Sequence, residues 1–267
     1  MIPTVVAAGF LDQVWTFLSD GSHWQGSDGI PHLLLQHLQL TVVSAVVAAA
    51  IALPIGIGLG HLRRAGVLAI NVANIGRALP ALALLILGVQ YFGIGTPGGV
   101  LALVHSLPAF IAMVALGIPP IVANSYVGVS EVDDEVREAA RAMGMDGRQV
   151  LWRVELPMAL PLIMAGVRTA VVAIVATATL AAYVNGGGLG TLISVGFAVQ
   201  NNAQVFVGGL LVALLAIAFE IALAVLQRTL VSRGLRAGGE RISREIQAEL
   251  GGAGLAPRPS DRRDVRR

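Results

Sequence analysis

An all-α polytopic membrane protein is the fold class the sequence predicts, and three observations predict it. Of 267 residues, 55% are hydrophobic and only 13% are charged, where a soluble domain carries about 25% charged residues. Mean hydropathy is +0.77. Three stretches, 29–62, 78–130 and 169–219, contain no Asp, Glu, Lys or Arg, and each far exceeds the roughly 20 residues a helix needs to cross a hydrocarbon core.

The elements follow in chain order. Residues 1–37 read as an external N-terminal segment. Its first 20 residues lack a basic start, and Asp12 interrupts the apolar stretch, unlike a signal peptide. Phe10, Val14, Trp15, Phe17 and Leu18 suit an amphipathic helix lying on the outer interface, with a sixth span as the alternative. The first span is expected over Leu38–Gly60, kinked near Pro54. A turn-forming run, Gly93-Ile-Gly-Thr-Pro-Gly-Gly99, divides the second charge-free stretch into spans at Gly66–Tyr91 and Val100–Val122. Asn185-Gly-Gly-Gly-Leu-Gly190 divides the third, giving spans at Leu162–Val184 and Val205–Leu230. A transmembrane domain of five spans thus covers residues 38–232.

Arginine sets the expected direction of these spans. Segments 1–37, 92–99 and 185–204 contain no Arg, whereas 61–65, 123–161 and 231–267 carry Arg63, Arg64, Arg137, Arg141, Arg148, Arg153 and nine tail arginines. Cytoplasmic loops retain positive charge, so the N-terminus is expected outside and the C-terminus in the cytoplasm of a plasma (inner) membrane protein. The tail 233–267 reads as a largely disordered, Arg-rich topology anchor, with Glu240 and Arg244 spaced for one short helix.

Composition also excludes chemistry. No Cys is present, so disulfides and thiolate metal sites are out. All 18 basic residues are Arg; without Lys there is no Walker A loop, kinase-type lysine or Schiff base. The five histidines form no HExxH pair. The chain reads as no enzyme, with no cofactor, no metal site, no catalytic residue and no nucleic-acid partner.

One basic-side loop, residues 130–158, carries chemistry of another kind. It reads as two short helices joined by a tight turn. Ser130 and Asp133 have capping spacing, and Asp146 and Gln149 repeat it. Val132, Val136, Ala140 and Met143 form an apolar stripe. Gly144 stands at a left-handed C-cap, and Pro157 ends the second helix. Such a hairpin docks either on another protein or on this chain's own helix ends.

Within it, Glu138-Ala139-Ala140, then Gly144, then Val154-x-Leu156-Pro157 resemble the EAA signature of permease subunits of ABC importers, with Val in place of Ile at 154. The resemblance extends over roughly residues 35–230. Arg77-Ala-Leu-Pro80, Pro119-Pro-Ile-Val-Ala-Asn-Ser-Tyr126, Ala142-Met-Gly-Met145, Leu156-Pro-Met-Ala-Leu-Pro161 and Gly186-Gly-Gly-Leu-Gly190 are similar to the osmoprotectant branch, which carries glycine betaine, choline, carnitine or proline betaine through a MetI-like fold. Asn185 departs from the small residue common before that glycine run. The resemblance implies that Glu138, Ala139, Ala140, Gly144, Leu156 and Pro157 couple the chain to a separate ATP-binding subunit dimer. It also implies a second permease copy or paralogue and an extracytoplasmic solute-binding protein as partners, in a bed of membrane lipid.

Polar residues inside the spans are costly and face partners or water. Asn71, Asn74 and Arg77 share one helical face; with Arg168 and Glu220 they are candidates for the translocation path. Helix–helix bonding for the asparagines and a structural ion pair for Glu220 are the competing readings. A methionine-type permease is the nearest rival function, and an ion-coupled secondary transporter, which needs internal repeats, is the more distant one.

Overall fold

The computed structural model describes residues 2–63, 66, 71, 80–93 and 106–230, with 2–8 by their backbone only. The described elements are helices joined by short connections. We number them α1 (Ile2–Ser19), α2 (Ile30–Leu62), α3 (Ala81–Phe92), α4 (Leu107–Ser130), α5 (Asp134–Ala142), α6 (Gly147–Ala178), α7 (Gly190–Ala198) and α8 (Asn202–Leu230). Short 3-10 turns lie at Gly21–Trp24 and Leu180–Val184. Among the described residues, α2, α4, α6 and α8 are long and apolar enough to cross a membrane. Of the second expected span, α3, with 12 residues, is the part described as a helix of its own.

Several boundaries differ from expectation, each for a local reason. Helix α2 begins eight residues early, because Gly29 is extended and Pro31 opens the first turn without needing a donor. Helix α4 begins at Leu107, where the Ser106 hydroxyl caps the Ala109 amide and Pro108 fits the first turn. It runs on to Ser130, past the expected end at Val122. The fourth span starts 15 residues early, at Gly147, because Pro157 does not end the second hairpin helix. Residues Leu151–Glu155 widen into a π turn, with the Leu156 amide bonded back to Leu151, and the helix continues.

Small residues let α2, α4 and α6 approach closely, as membrane helices require. A Cβ on Gly56 would stand 2.8 Å from both the Ser125 Cβ and the Val122 carbonyl, and one on Gly166 would stand 2.7 Å from the Asn124 Cβ. Leu40, Leu85, Met113 and Ile174 fill the core among α2, α3, α4 and α6. Val14 and Phe17 of α1 pack with Leu33, Leu192 and Val207, and Phe10 meets Phe206 edge-on at 5.4 Å. Trp15 of the expected amphipathic segment stays exposed. The tail 231–267 lies outside the described residues.

Candidate functional site

The hairpin end of the molecule is built from the start of α6, all of α5 and the last turn of α2. Asp133, not Ser130, caps α5: its carboxylate accepts from the Glu135 amide, while the Ser130 hydroxyl turns back to the Val127 carbonyl. Helix α5 stops in a Schellman motif. The Gly144 amide bonds to the Arg141 carbonyl and the Met145 amide to that of Ala140, with Gly144 at φ +87°. Asp146 and Gln149 form the expected reciprocal capping box at the start of α6.

The expected apolar stripe of α5 divides between two faces. Val132 and Ala140 turn inward and are buried, whereas Val136 and Met143 face out, Met143 with 72% exposure. Ala140, at 1% exposure, packs within this chain and is not presented to a partner as the sequence suggested. Glu138, Ala139 and Gly144 are exposed, as is Pro157, and Leu156 is half-buried. Val136, Ala139 and Met143 therefore form an outward apolar row at i, i+3 and i+7, and Trp152, at the start of α6, is also exposed.

The inward face carries a polar cluster that the sequence reading missed. Glu155 is fully buried and Arg137 is 4% exposed. His61 of α2 donates from Nδ1 to Glu155 Oε2 at 2.6 Å. Arg137 Nε stands 3.3 Å from Glu155 Oε1 without hydrogen-bond alignment, and its Nη2 donates to the Val129 carbonyl at 2.5 Å. Burial lowers the Arg137 guanidinium from its ordinary value, and the facing Glu155 carboxylate opposes that shift. At the exposed edge, Arg63 pairs with Asp134 at 2.5 Å and donates to the Val132 carbonyl. That pairing holds the Asp134 carboxyl below the usual carboxylate range. In sequence these residues look like ordinary loop charges. The available signal was Glu155 itself, an acid enclosed by Val154 and Leu156 at the mouth of a span.

At the opposite end, α2 holds the glycine-rich loop. The Gly188 amide donates to Gln36 Oε1 at 3.0 Å, and the Leu189 amide donates to Nδ1 of fully buried His37 at 3.3 Å. That fixes His37 as an Nε2 donor, and Nε2 lies 3.2 Å from the Val175 carbonyl. Asn185, which departs from a small residue, adopts a left-handed φ of 59°, a conformation that Asn tolerates.

Inside the spans, Arg168 of α6 and Glu220 of α8 form an ion pair, and Arg168 also donates to Gln227 at 3.3 Å. They border an open cavity of about 440 Å³ with Ala165, Thr169 and Val172. The structure thus joins two of the candidate path residues. Asn71 occupies an exposed helical position, and Asn74 and Arg77 lie outside the described residues. Among the described residues, no group of His, Asp and Glu could hold a metal.

Known proteins resemble this chain in sequence and in fold. Residues 33–233 match the family described as binding-protein-dependent transport system inner membrane component. The chain is 31% identical to the glycine betaine/carnitine/choline transport system permease protein OpuCB of Bacillus subtilis, over 75% of this chain and 88% of that one. It is 32% identical to the carnitine transport permease protein OpuCB of Listeria monocytogenes, over 86% and 99%. It is 34% identical to the osmoprotectant import permease protein OsmW of Salmonella typhimurium, over 76% and 93%. In fold it resembles an inward-facing structure of the MetNI methionine ABC transporter, with TM-score 0.62 at 24% identity, covering 74% of this chain and 94% of the other. The chain belongs to the family of binding-protein-dependent transport system inner membrane components.

Proposed function

We propose that this chain is the permease subunit of an ATP-driven importer for osmoprotectants of the betaine, choline or carnitine type. It forms the translocation path and performs no covalent chemistry. The observation that carries the reading is the outward apolar row of Val136, Ala139 and Met143. Val136 and Ala139 lie on α5 and Met143 at its C-cap, beyond the spans, and exposed apolar clusters mark interaction sites. The occupant we assign is an ATP-binding subunit, two of which serve a pair of permeases, either two copies of this chain or this chain and a paralogue. Glu138, Gly144, Leu156 and Pro157 complete that coupling surface, and Ala140 supports it from within. The arginine distribution supports a cytoplasmic hairpin and tail, and a solute-binding protein delivers cargo at the glycine-loop end. Arg168 and Glu220 border the path. The substrate class follows the relatives' names.

Uptake by the complete importer in proteoliposomes tests the reading. Labelled glycine betaine or choline should enter on ATP addition and be displaced by other quaternary ammonium solutes. Methionine uptake with no betaine competition would assign the chain to the methionine-type rival.

A further inference from the structure

We propose that Glu155, with Arg137 and His61, is a positioning cluster that makes the hairpin and the adjoining end of α2 move as one body, so that movement imposed on α5 reaches α2 as well as the span into which α6 itself continues. The inference rests on the ATPase-docking reading above.

Three observations carry it. First, the cluster joins three separate elements: His61 comes from α2, Arg137 from α5 and Glu155 from the π turn of α6. Second, its burial is exceptional for this hairpin. Glu131, Glu135, Glu138, Arg141, Arg148 and Arg153 are all exposed, while Glu155 and Arg137 are withdrawn from water. Each buried ion costs several kcal/mol in desolvation, a cost that an apolar pair would avoid. Apolar contacts are non-directional; the role we assign to this buried polar cluster is to fix one register. Third, the π turn is what brings the carboxylate in. Val150 and Glu155, five residues apart, are both 0% exposed, while Trp152 and Arg153 point outward. In a regular helix Val154 would take that inward place, and π bulges recur at functional sites. The Arg63–Asp134 pair provides a second tie at the solvent edge, but exposure leaves it screened and weak.

The test uses the complete importer in proteoliposomes, with two permease variants. Glu155→Gln removes the charge and keeps the shape; the double change Arg137→Met with Glu155→Leu removes both charges and keeps apolar packing, so it avoids the uncompensated buried charge of the single variant. The readouts are ATP hydrolysed per solute imported and the distance between spin labels on Leu62→Cys and Arg141→Cys, two exposed positions in a chain without native Cys. In the otherwise unchanged protein the label distance should be equal in the nucleotide-free and vanadate-trapped states. In both variants it should change between states, and ATP consumed per solute should rise several-fold with the ATPase still bound. Simple loss of stability would lower uptake and hydrolysis together without altering their ratio. Wild-type stoichiometry in the double variant, or a label distance that already changes in the parent, overturns the inference. Failure of the parent permease to retain the ATPase overturns the docking reading instead.

Discussion

Gly60 offers a sharp test of how closely α2 and α4 are packed. A Cβ there would lie 2.8 Å from the Tyr126 carbonyl oxygen and 2.8 Å from the Val129 Cβ, where ordinary contact begins at 3.4 Å. The helices must therefore part by about 0.6 Å (3.4 − 2.8). One of the two obstacles is backbone, which no rotamer change can clear. Overpacking of this kind costs about 1–3 kcal/mol, and the better helix propensity of Ala returns at most about 1 kcal/mol. Gly60→Ala should thus lose roughly 1–2 kcal/mol. Gly58, on the same helix, has nothing within 4 Å of its virtual Cβ, so Gly58→Ala should be neutral or up to about 1 kcal/mol stabilising. At about 2–4 °C per kcal/mol, the two variants should separate by roughly 2–12 °C in thermal unfolding in detergent. Uptake should fall in Gly60→Ala as well, because the displaced Val129 supplies the carbonyl that holds Arg137. A Gly60→Ala protein that melts with or above Gly58→Ala would refute the packing argument.

Gly144 has open space around it but φ +87°, so Gly144→Val meets backbone strain of about 1–2 kcal/mol or more rather than a clash. It should insert normally, lose ATP-dependent uptake and weaken ATPase pull-down, whereas Gly144→Asn and the exposed Arg148→Gln should remain active. For the intramembrane pair, Glu220→Gln should lower thermal stability more than the double change Arg168→Met with Glu220→Leu, because the single variant strands a charge; equal losses would show that the pair contributes nothing specific.

Much of this architecture is written in local chemistry. Charge-free runs locate α2, α4, α6 and α8 because no lipid-facing helix tolerates many ions, and the Schellman glycine and the Asp146–Gln149 box act within a few residues of themselves. The misplaced features depend on distant partners. Pro157 reads as a stop only if the preceding helix is regular, and the π turn removes that premise. Arg137 reads as a topology charge until α2 and α6 bring His61 and Glu155 against it. Ala140 reads as a docking alanine because composition cannot say which face of a short amphipathic helix its own protein covers.

Helix α2 has 33 residues and, at about 1.5 Å per residue, is about 50 Å long. It grips the glycine-rich loop through Gln36 and His37 at one end and the hairpin cluster through His61 at the other. A single rod clamped at both ends makes those ends thermodynamically reciprocal: a bias applied to one must reappear at the other with the same free energy. On the function proposed above, any bias that nucleotide at the hairpin places on cargo binding at the loop is matched by an equal factor in the effect of cargo on nucleotide affinity. Pro54, inside this rod, removes one backbone rung and is the point where that exchange can leak.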